Sequence, residues 1–250
     1  MKDNISVTIL TKNSERYIFE CLKSLEKFDE VLVLDNGSTD GTIDIASGFQ
    51  NVSILKHEFI GFGPLKNLVV DHAKHDWILS IDSDEIISPE LVEEISSKKL
   101  HNETVYSIVR ENYYNHKKVK CCGWENDKVN RLFNRKLVRF NNNLVHESLE
   151  LNSDIQLEIF KHKLKHYTYD NVSELIQKMD VYSTLWSQDH AGKKNSHAFT
   201  PLVKSAFAFI KFYLFKKGFA SGYVGFLISI TNANNTFYKY AKLHELNKRE

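Results

Sequence analysis

Four consecutive residues, Asp82-Ser83-Asp84-Glu85, offer the sharpest chemistry in the sequence. They follow Trp77-Ile78-Leu79-Ser80-Ile81, apolar enough to be a buried strand, so three acids converge where that strand emerges. Alternate residues leaving a strand project to one side, which lets Asp82 and Asp84 share a ligand. Hard carboxylate oxygens suit Mg²⁺ or Mn²⁺, ions that keep several waters and bridge to substrate phosphates. The competing role is an acidic cap on a helix starting near Ser88. Asp35 closes a second apolar run, Glu30–Leu34. An acid at the end of such a strand commonly accepts hydrogen bonds from a ribose or a base. Turn and capping duties fall to its neighbours Asn36–Asp40.

Other chemistries fail on spacing. Gly61-Phe62-Gly63 is no dinucleotide fingerprint, because Lys66 stands where the third glycine would be, and no phosphate-binding P-loop is present. His146-Glu147 is no zincin helix, because Glu150 replaces the second histidine. Cys21, Cys121 and Cys122 fit neither a disulfide framework nor a zinc site, so they are expected to be buried, inert thiols. His162 and His166 sit in an alternating, strand-like run. Four strand residues separate them by ~13 Å, too far to share one metal.

The elements that must position these residues alternate. Ile5–Leu10, Glu30–Leu34, Val52–Lys56 and Trp77–Ile81 read as strands. Ser14–Lys27, Thr39–Phe49, Pro64–Lys74 and a segment after Ser88-Pro89 read as helices, the last with serine as cap and proline in the first turn. Strand and helix alternating at short intervals predict βαβ units and a mainly parallel, Rossmann-like sheet flanked by helices, with ligands at the carboxyl ends of the strands. Those ends carry Thr11-Lys12-Asn13, Asp35 and Asp82-Ser83-Asp84.

Lys plus Arg number 33 against 32 Asp plus Glu, a net charge of +1 that argues against a nucleic-acid partner. The balance is local rather than uniform. Residues 193–250 hold ten Lys/Arg against two Glu, and twelve of the thirty aromatic residues lie between Phe199 and Tyr240. This shift predicts a boundary near residues 190–201, with a main domain over 1–192 and a helical, basic and aromatic extension over 193–250. The N-terminus opens directly on a strand without a signal-peptide pattern, so a reducing cytoplasm is the expected compartment.

The runs T-K-N-S-E, D-E-V-L-V-L-D-N-G-S-T-D-G-T, G-F-G-P-L-K-N and L-S-I-D-S-D-E, in this order, resemble the nucleotide-sugar half of family 2 glycosyltransferases, inverting enzymes of GT-A fold. Further blocks, W-E-N-D-K-V-N-R-L-F-N-R, V-H-E, H-Y-T-Y and K-M-D-V-Y-S, resemble the bacterial branch that adds glucose to the lipopolysaccharide or lipooligosaccharide inner core. The resemblance implies a UDP-sugar donor bound by residues 1–100 and an acceptor half in 101–192. Thr11 and Asp35 would contact uridine, with Asn13 and Glu15 shaping the pocket. Lys66 stands where the family often carries an arginine near the base, and its contact would be to phosphate or absent. Asp82 would approach the ribose and the metal, Asp84 would ligate the metal, and His166 would return toward the diphosphate. Arg131 and Trp124 would face an anionic acceptor or phosphate, a surface salt bridge being the plainer role for Arg131.

An inverting transfer also needs a base opposite the leaving group. Glu147, with Leu144-Val145 before it and Leu149 after it, is the first candidate and Asp127 the second. A non-catalytic sugar-nucleotide binder would not need that base, and another glycan or a protein is the rival acceptor. A nucleotidyltransferase would need a glycine-rich loop where T-K-N-S-E stands. Phe207, Phe209, Phe212, Tyr213 and Phe215 among Lys204, Lys211, Lys216 and Lys217 suit a helix on the inner-leaflet membrane surface, where a lipid-linked acceptor would lie. The alternative is packing on the catalytic domain or a second subunit.

Overall fold

The computed structural model describes residues 4–145 and 147–248. The chain divides into two compact units. Unit 1 comprises residues 1–111 and 128–167, and unit 2 comprises 112–127 and 168–250. The expected boundary near 190–201 falls inside unit 2.

Unit 1 is built on a sheet whose first four strands are β1 (Ile5–Thr11), β2 (Glu30–Asp35), β3 (Val52–Lys56) and β4 (Trp77–Asp82). They lie in the order β3-β2-β1-β4, all parallel, with Thr11 opposite Asp35 and Leu10 opposite Asp82. This register brings three chemistry-bearing strand ends to one edge. β1, β2 and β4 are near-continuous apolar runs because both faces are covered. Val31, Val33, Leu79 and Ile81 pack into one core with Ile18 and Leu22 of α1 (Glu15–Ser24) and Leu91 of α4 (Pro89–Ser97). Leu32, Leu34 and Ile78 point the other way, onto Leu65 and Val69 of α3 (Phe62–Asp71). A short α2 (Thr42–Ser47) links β2 to β3. Ser88 caps α4 as expected, its hydroxyl accepting from the Leu91 amide at 3.2 Å.

The sheet is mixed rather than parallel throughout. It continues through β8 (Asp127–Asn134), β6 (Thr104–Tyr114) and β9 (Gln156–Tyr169) to β5 (Glu85–Ile87). β8 runs antiparallel to β4, and β9 antiparallel to β5. The stretch from β6 to β9 has no interleaved helix, and without a crossover element neighbouring strands pair antiparallel.

The entry to α3 is closed by the segment before Glu147. The Phe62 and Gly63 amides donate to the Leu144 and Asn143 carbonyls at 3.2 and 3.1 Å, satisfying donors a helix start leaves unpaired. A Cβ on Gly63 would lie 1.9 Å from the Asn141 carbonyl oxygen, a backbone atom. Gly63→Ala is therefore expected to cost ~1–3 kcal/mol by overpacking and to displace the backbone at Asn141 and Asn143. A denaturant melt and a turnover assay check this, and wild-type values in both would refute the coupling.

Unit 2 pairs the end of β6 with β7 (Lys117–Lys118) and adds α5 (Val172–His190), α6 (Thr200–Ile210) and α7 (Gly222–Asn247). A π-helical turn at Lys211–Phe215 and a 3-10 turn at Gly218–Ser221 join α6 to α7. Gly225 and Gly218 let these turns close, because a Cβ on Gly225 would lie 1.9 Å from the Gly218 carbonyl oxygen. All three cysteines are free and buried. Burial pushes the Cys21 thiol well above its ordinary value and the Cys122 thiol up to about 11, as inert thiols require. Among the described residues no helix is long and apolar enough to cross a membrane.

Candidate active site

Two groups of predicted residues meet at the carboxyl edge of the parallel strands. The first surrounds Asp35. Thr11 is buried beside it in register, and its Oγ1 has no hydrogen-bond partner among the described residues. A buried hydroxyl without a partner is costly unless a ligand satisfies it. Asp35 accepts from the Ser38 amide at 3.0 Å, which orients the carboxylate in its turn. Asn13 adopts a left-handed conformation, φ 51°, and its Oδ1 accepts from the Thr39 amide at 2.8 Å. Glu15 accepts from the Gly41 amide at 3.2 Å. Asn13 and Glu15 thus tie the loop after β1 to the loop after β2. A depression of about 330 Å³ opens here, lined by Asp35, Asn36, Gly37, Lys56, His57 and Glu58. Lys56, His57 and Glu58 were not anticipated. Their signal was available, since Lys56 ends β3 opposite Asp35 in a parallel pair and His57 and Glu58 follow it.

The second group is a chain of buried charge. Lys66 Nζ lies 3.2 Å from Asp82 Oδ1 and 2.7 Å from Glu147 Oε1. Burial alone would lower the Lys66 ammonium, but Asp82 and then Glu147 hold it above its ordinary value. Arg131 Nη2 donates to Asp82 Oδ2 and to Glu85 Oε1. Arg131 is therefore buried, not a surface ion pair. Glu85 is fully buried, accepts the Asp82 amide at 3.1 Å and has Arg110 Nη1 at 3.5 Å. Burial raises the Asp82 carboxyl, yet Arg131, Lys66 and Arg110 together hold it well below 3.8. Glu85 and Arg110 were missed as members of this network. Glu85 is the third acid of the Asp82–Glu85 run, and its placement before Ile86-Ile87 hinted at burial.

Asp84 points to a different partner, His166, whose Nε2 is 3.5 Å from Asp84 Oδ1. β5–β9 pairing, with Glu85 opposite His166, creates this proximity. His162 is exposed on the same strand, its amide donating to Glu94. No cluster of three or more His, Cys, Asp or Glu able to hold a metal is present among the described residues. Asp84 offers the hard carboxylate oxygen that Mg²⁺ or Mn²⁺ takes, and such ions draw most other ligands from water and phosphate. Both Asp82 oxygens are engaged by cations, Oδ1 by Lys66 and Oδ2 by Arg131.

Asp127 and Trp124 belong to unit 2. Asp127 Oδ2 accepts from Asn112 Nδ2 at 3.1 Å, and the same amide group donates to the Trp124 carbonyl. The Trp124 ring lies 6.2 Å from Tyr169.

The chain is similar to several known proteins. An uncharacterized glycosyltransferase of Rickettsia typhi is 31% identical over 256 residues, spanning 97% of this chain and 87% of its own. The lipopolysaccharide core biosynthesis glycosyltransferase LpsC of Rhizobium meliloti is 24% identical over 258 residues, 96% of this chain and 92% of that one. Among solved structures, S. aureus TarS 1-349 in complex with UDP-GlcNAc aligns with a TM-score of 0.49 at 14% identity, over 98% of this chain and 90% of that chain. The model of the family described as glycosyl transferase family 2 matches residues 6–146, a span that holds the Asp35 turn and the Asp82–Asp84 edge alike. By that match and by the end-to-end similarity to the Rickettsia protein, the chain belongs to glycosyl transferase family 2.

Proposed function

We propose that this protein is an inverting glycosyltransferase that moves a hexose, glucose in the favoured reading, from a UDP-sugar to a hydroxyl of a lipid-linked lipopolysaccharide or lipooligosaccharide core. The observation that carries the reading is the Glu147–Lys66–Asp82 chain of contacts beside the Asp35 turn. It sets a candidate base and a candidate donor-binding acid on either side of one buried cation. The LpsC similarity favours the core acceptor.

In this mechanism Thr11 and Asp35 bind the uridine, and Asn13 and Glu15 keep their loops in place. Glu147 accepts the proton of the acceptor hydroxyl as that oxygen attacks the anomeric carbon from the face opposite the diphosphate. Lys66, held as ammonium, pairs with Asp82 and with the Glu147 carboxylate before the proton moves, and with Asp82 alone once Glu147 is protonated. A divalent ion held by Asp84 and His166 would offset charge growing on the leaving diphosphate.

The test is incubation with a panel of UDP-sugars, Mg²⁺ or Mn²⁺, and truncated core acceptors, with other glycans and a protein as alternative acceptors. Inverted product on the core acceptor is the expected result. Transfer only to another acceptor would displace the core assignment. Asp84→Asn should lower kcat with folding unchanged, and full activity in EDTA would remove the metal role.

The reading extends to the inner-leaflet surface of the cytoplasmic membrane through residues 199–250. Phe199, Phe207 and Phe215 are 77%, 73% and 79% exposed. They share their segment with Lys204, Lys211, Lys216 and Lys217, and a lysine near an anionic surface contributes ~1 kcal/mol, about fivefold in binding. Vesicle flotation should show binding to anionic vesicles that weakens with salt, with Lys204→Gln and Phe207→Ser each reducing it. Equal binding to neutral vesicles, or none at any salt, would assign this face to a subunit or domain contact.

A further inference from the structure

Unit 2 contains a second concentration of positive charge, apart from Lys204, Lys211, Lys216 and Lys217, that the transfer chemistry does not use. Lys194 and Lys239 each place Nζ 5.4 Å from the centroid of one indole ring, that of Trp186. His190 stacks on the same ring at 4.1 Å, and Tyr240 lies 5.3 Å away. His190 Nδ1 sits 2.9 Å from the Trp186 carbonyl oxygen, which can only accept. Nδ1 therefore carries a proton, and Nε2 can donate to an anion only in the imidazolium form, in which both nitrogens are donors.

The cluster is held from both sides. Trp186 and His190 lie in the last turns of α5, and Lys239 and Tyr240 on α7. The loop bearing Lys194 is fastened to α7 by Ser196 Oγ donating to the Tyr240 carbonyl at 2.8 Å and by Asn247 Nδ2 donating to the Lys194 carbonyl at 2.8 Å. Among the described residues no carboxylate forms a salt bridge with Lys194 or Lys239. By contrast Lys242, one turn along α7, is matched to Asp180 at 2.7 Å.

Two like charges held against one ring repel each other, and the indole face offsets only part of that. Burial and then Lys194 push the Lys239 ammonium below its ordinary value. An oxyanion between the two ammonium groups would convert the repulsion into charge-assisted hydrogen bonds. We propose that Lys194, Lys239 and His190 around Trp186 form a binding site for a phosphate group. Phosphate on a saccharide and phosphate in a lipid headgroup share this chemistry. The inference stands apart from the transferase reading, because it uses no residue of unit 1.

The experiment uses the full chain with its lysines ¹³Cε-labelled. It is titrated with inorganic phosphate, with a hexose phosphate and with the uncharged hexose at constant ionic strength. Both phosphates should shift the Lys194 and Lys239 resonances saturably, and the uncharged hexose should shift neither. Lys194→Gln and Lys239→Gln should each weaken phosphate binding about tenfold or more, while Lys239→Arg retains it. Flotation on phosphatidylglycerol vesicles separates the sources. Loss of vesicle binding in the Gln variants would assign a headgroup, and unchanged vesicle binding with lost hexose phosphate binding would assign a saccharide. The wild-type chain gives a measurement independent of any variant, since bound phosphate should move the Lys239 titration upward. An unmoved titration, or phosphate affinity unchanged in both Gln variants, would overturn the site.

Discussion

Glu147→Gln should leave a folded protein whose kcat is lower by ~10²–10⁴, the loss typical of removing a general base. Glutamine keeps the shape and can still accept a hydrogen bond from Lys66, which now lies 2.7 Å from the carboxylate. It cannot take a proton. Affinity for the UDP-sugar should change little, because the acceptor approaches the anomeric carbon from the side away from the diphosphate. The split between kcat and donor binding is therefore the diagnostic readout. Asp127→Asn is the companion experiment. A near-wild-type Glu147→Gln beside an inactive Asp127→Asn would move the base to Asp127, whose carboxylate is now bound by Asn112.

The parallel half of unit 1 was readable because its signals are local. Buried strands such as Glu30–Asp35 are continuous apolar runs, and each ends in a turn cluster that sequence alone exposes. Asp35 and Asp82 were found for that reason, since position at a strand end restricts what an acid can do. The partners across the site were harder. Arg131 looks like any strand arginine until β8 pairs with β4 and carries it to Asp82 and Glu85. Glu85 reads as a cap for α4, but the fold buries it completely beneath two arginines. Lys66 was expected among the nucleotide-sugar contacts, with its contact to phosphate or absent, and its partners Asp82 and Glu147 could not be read from the sequence. These contacts depend on residues far apart in sequence, and charge pairing leaves no periodicity to detect. The alternation around His166 did separate it from His162, because a strand period sends only particular positions to the neighbouring strand.

Arg131→Leu should be the most destabilising single change at this site, costing ~3–5 kcal/mol, because it strips the counter-charge from a buried acid. Arg131 and Glu85 side chains are 5% and 0% exposed, so solvent cannot replace the lost partner. Arg110, 3.5 Å from Glu85, compensates only in part. The Asp82 side chain is 33% exposed, and its share is correspondingly smaller through screening. The variant Arg131→Leu/Glu85→Leu removes both members of the buried pair and should recover part of the loss, since the unpaired buried charge is then gone. The pH dependence follows from Asp82. Its carboxyl is held well below 3.8 in the folded state, so its contribution is complete above the unfolded value and fades as pH falls through the folded one. The stability gap between wild type and Arg131→Leu should therefore be constant near neutrality and narrow below about pH 4. Denaturant unfolding across this range measures it. A gap that is constant down to strongly acidic pH would mean Arg131 stabilises by packing alone, and Asp82 would then be free of the charge network and available to a metal.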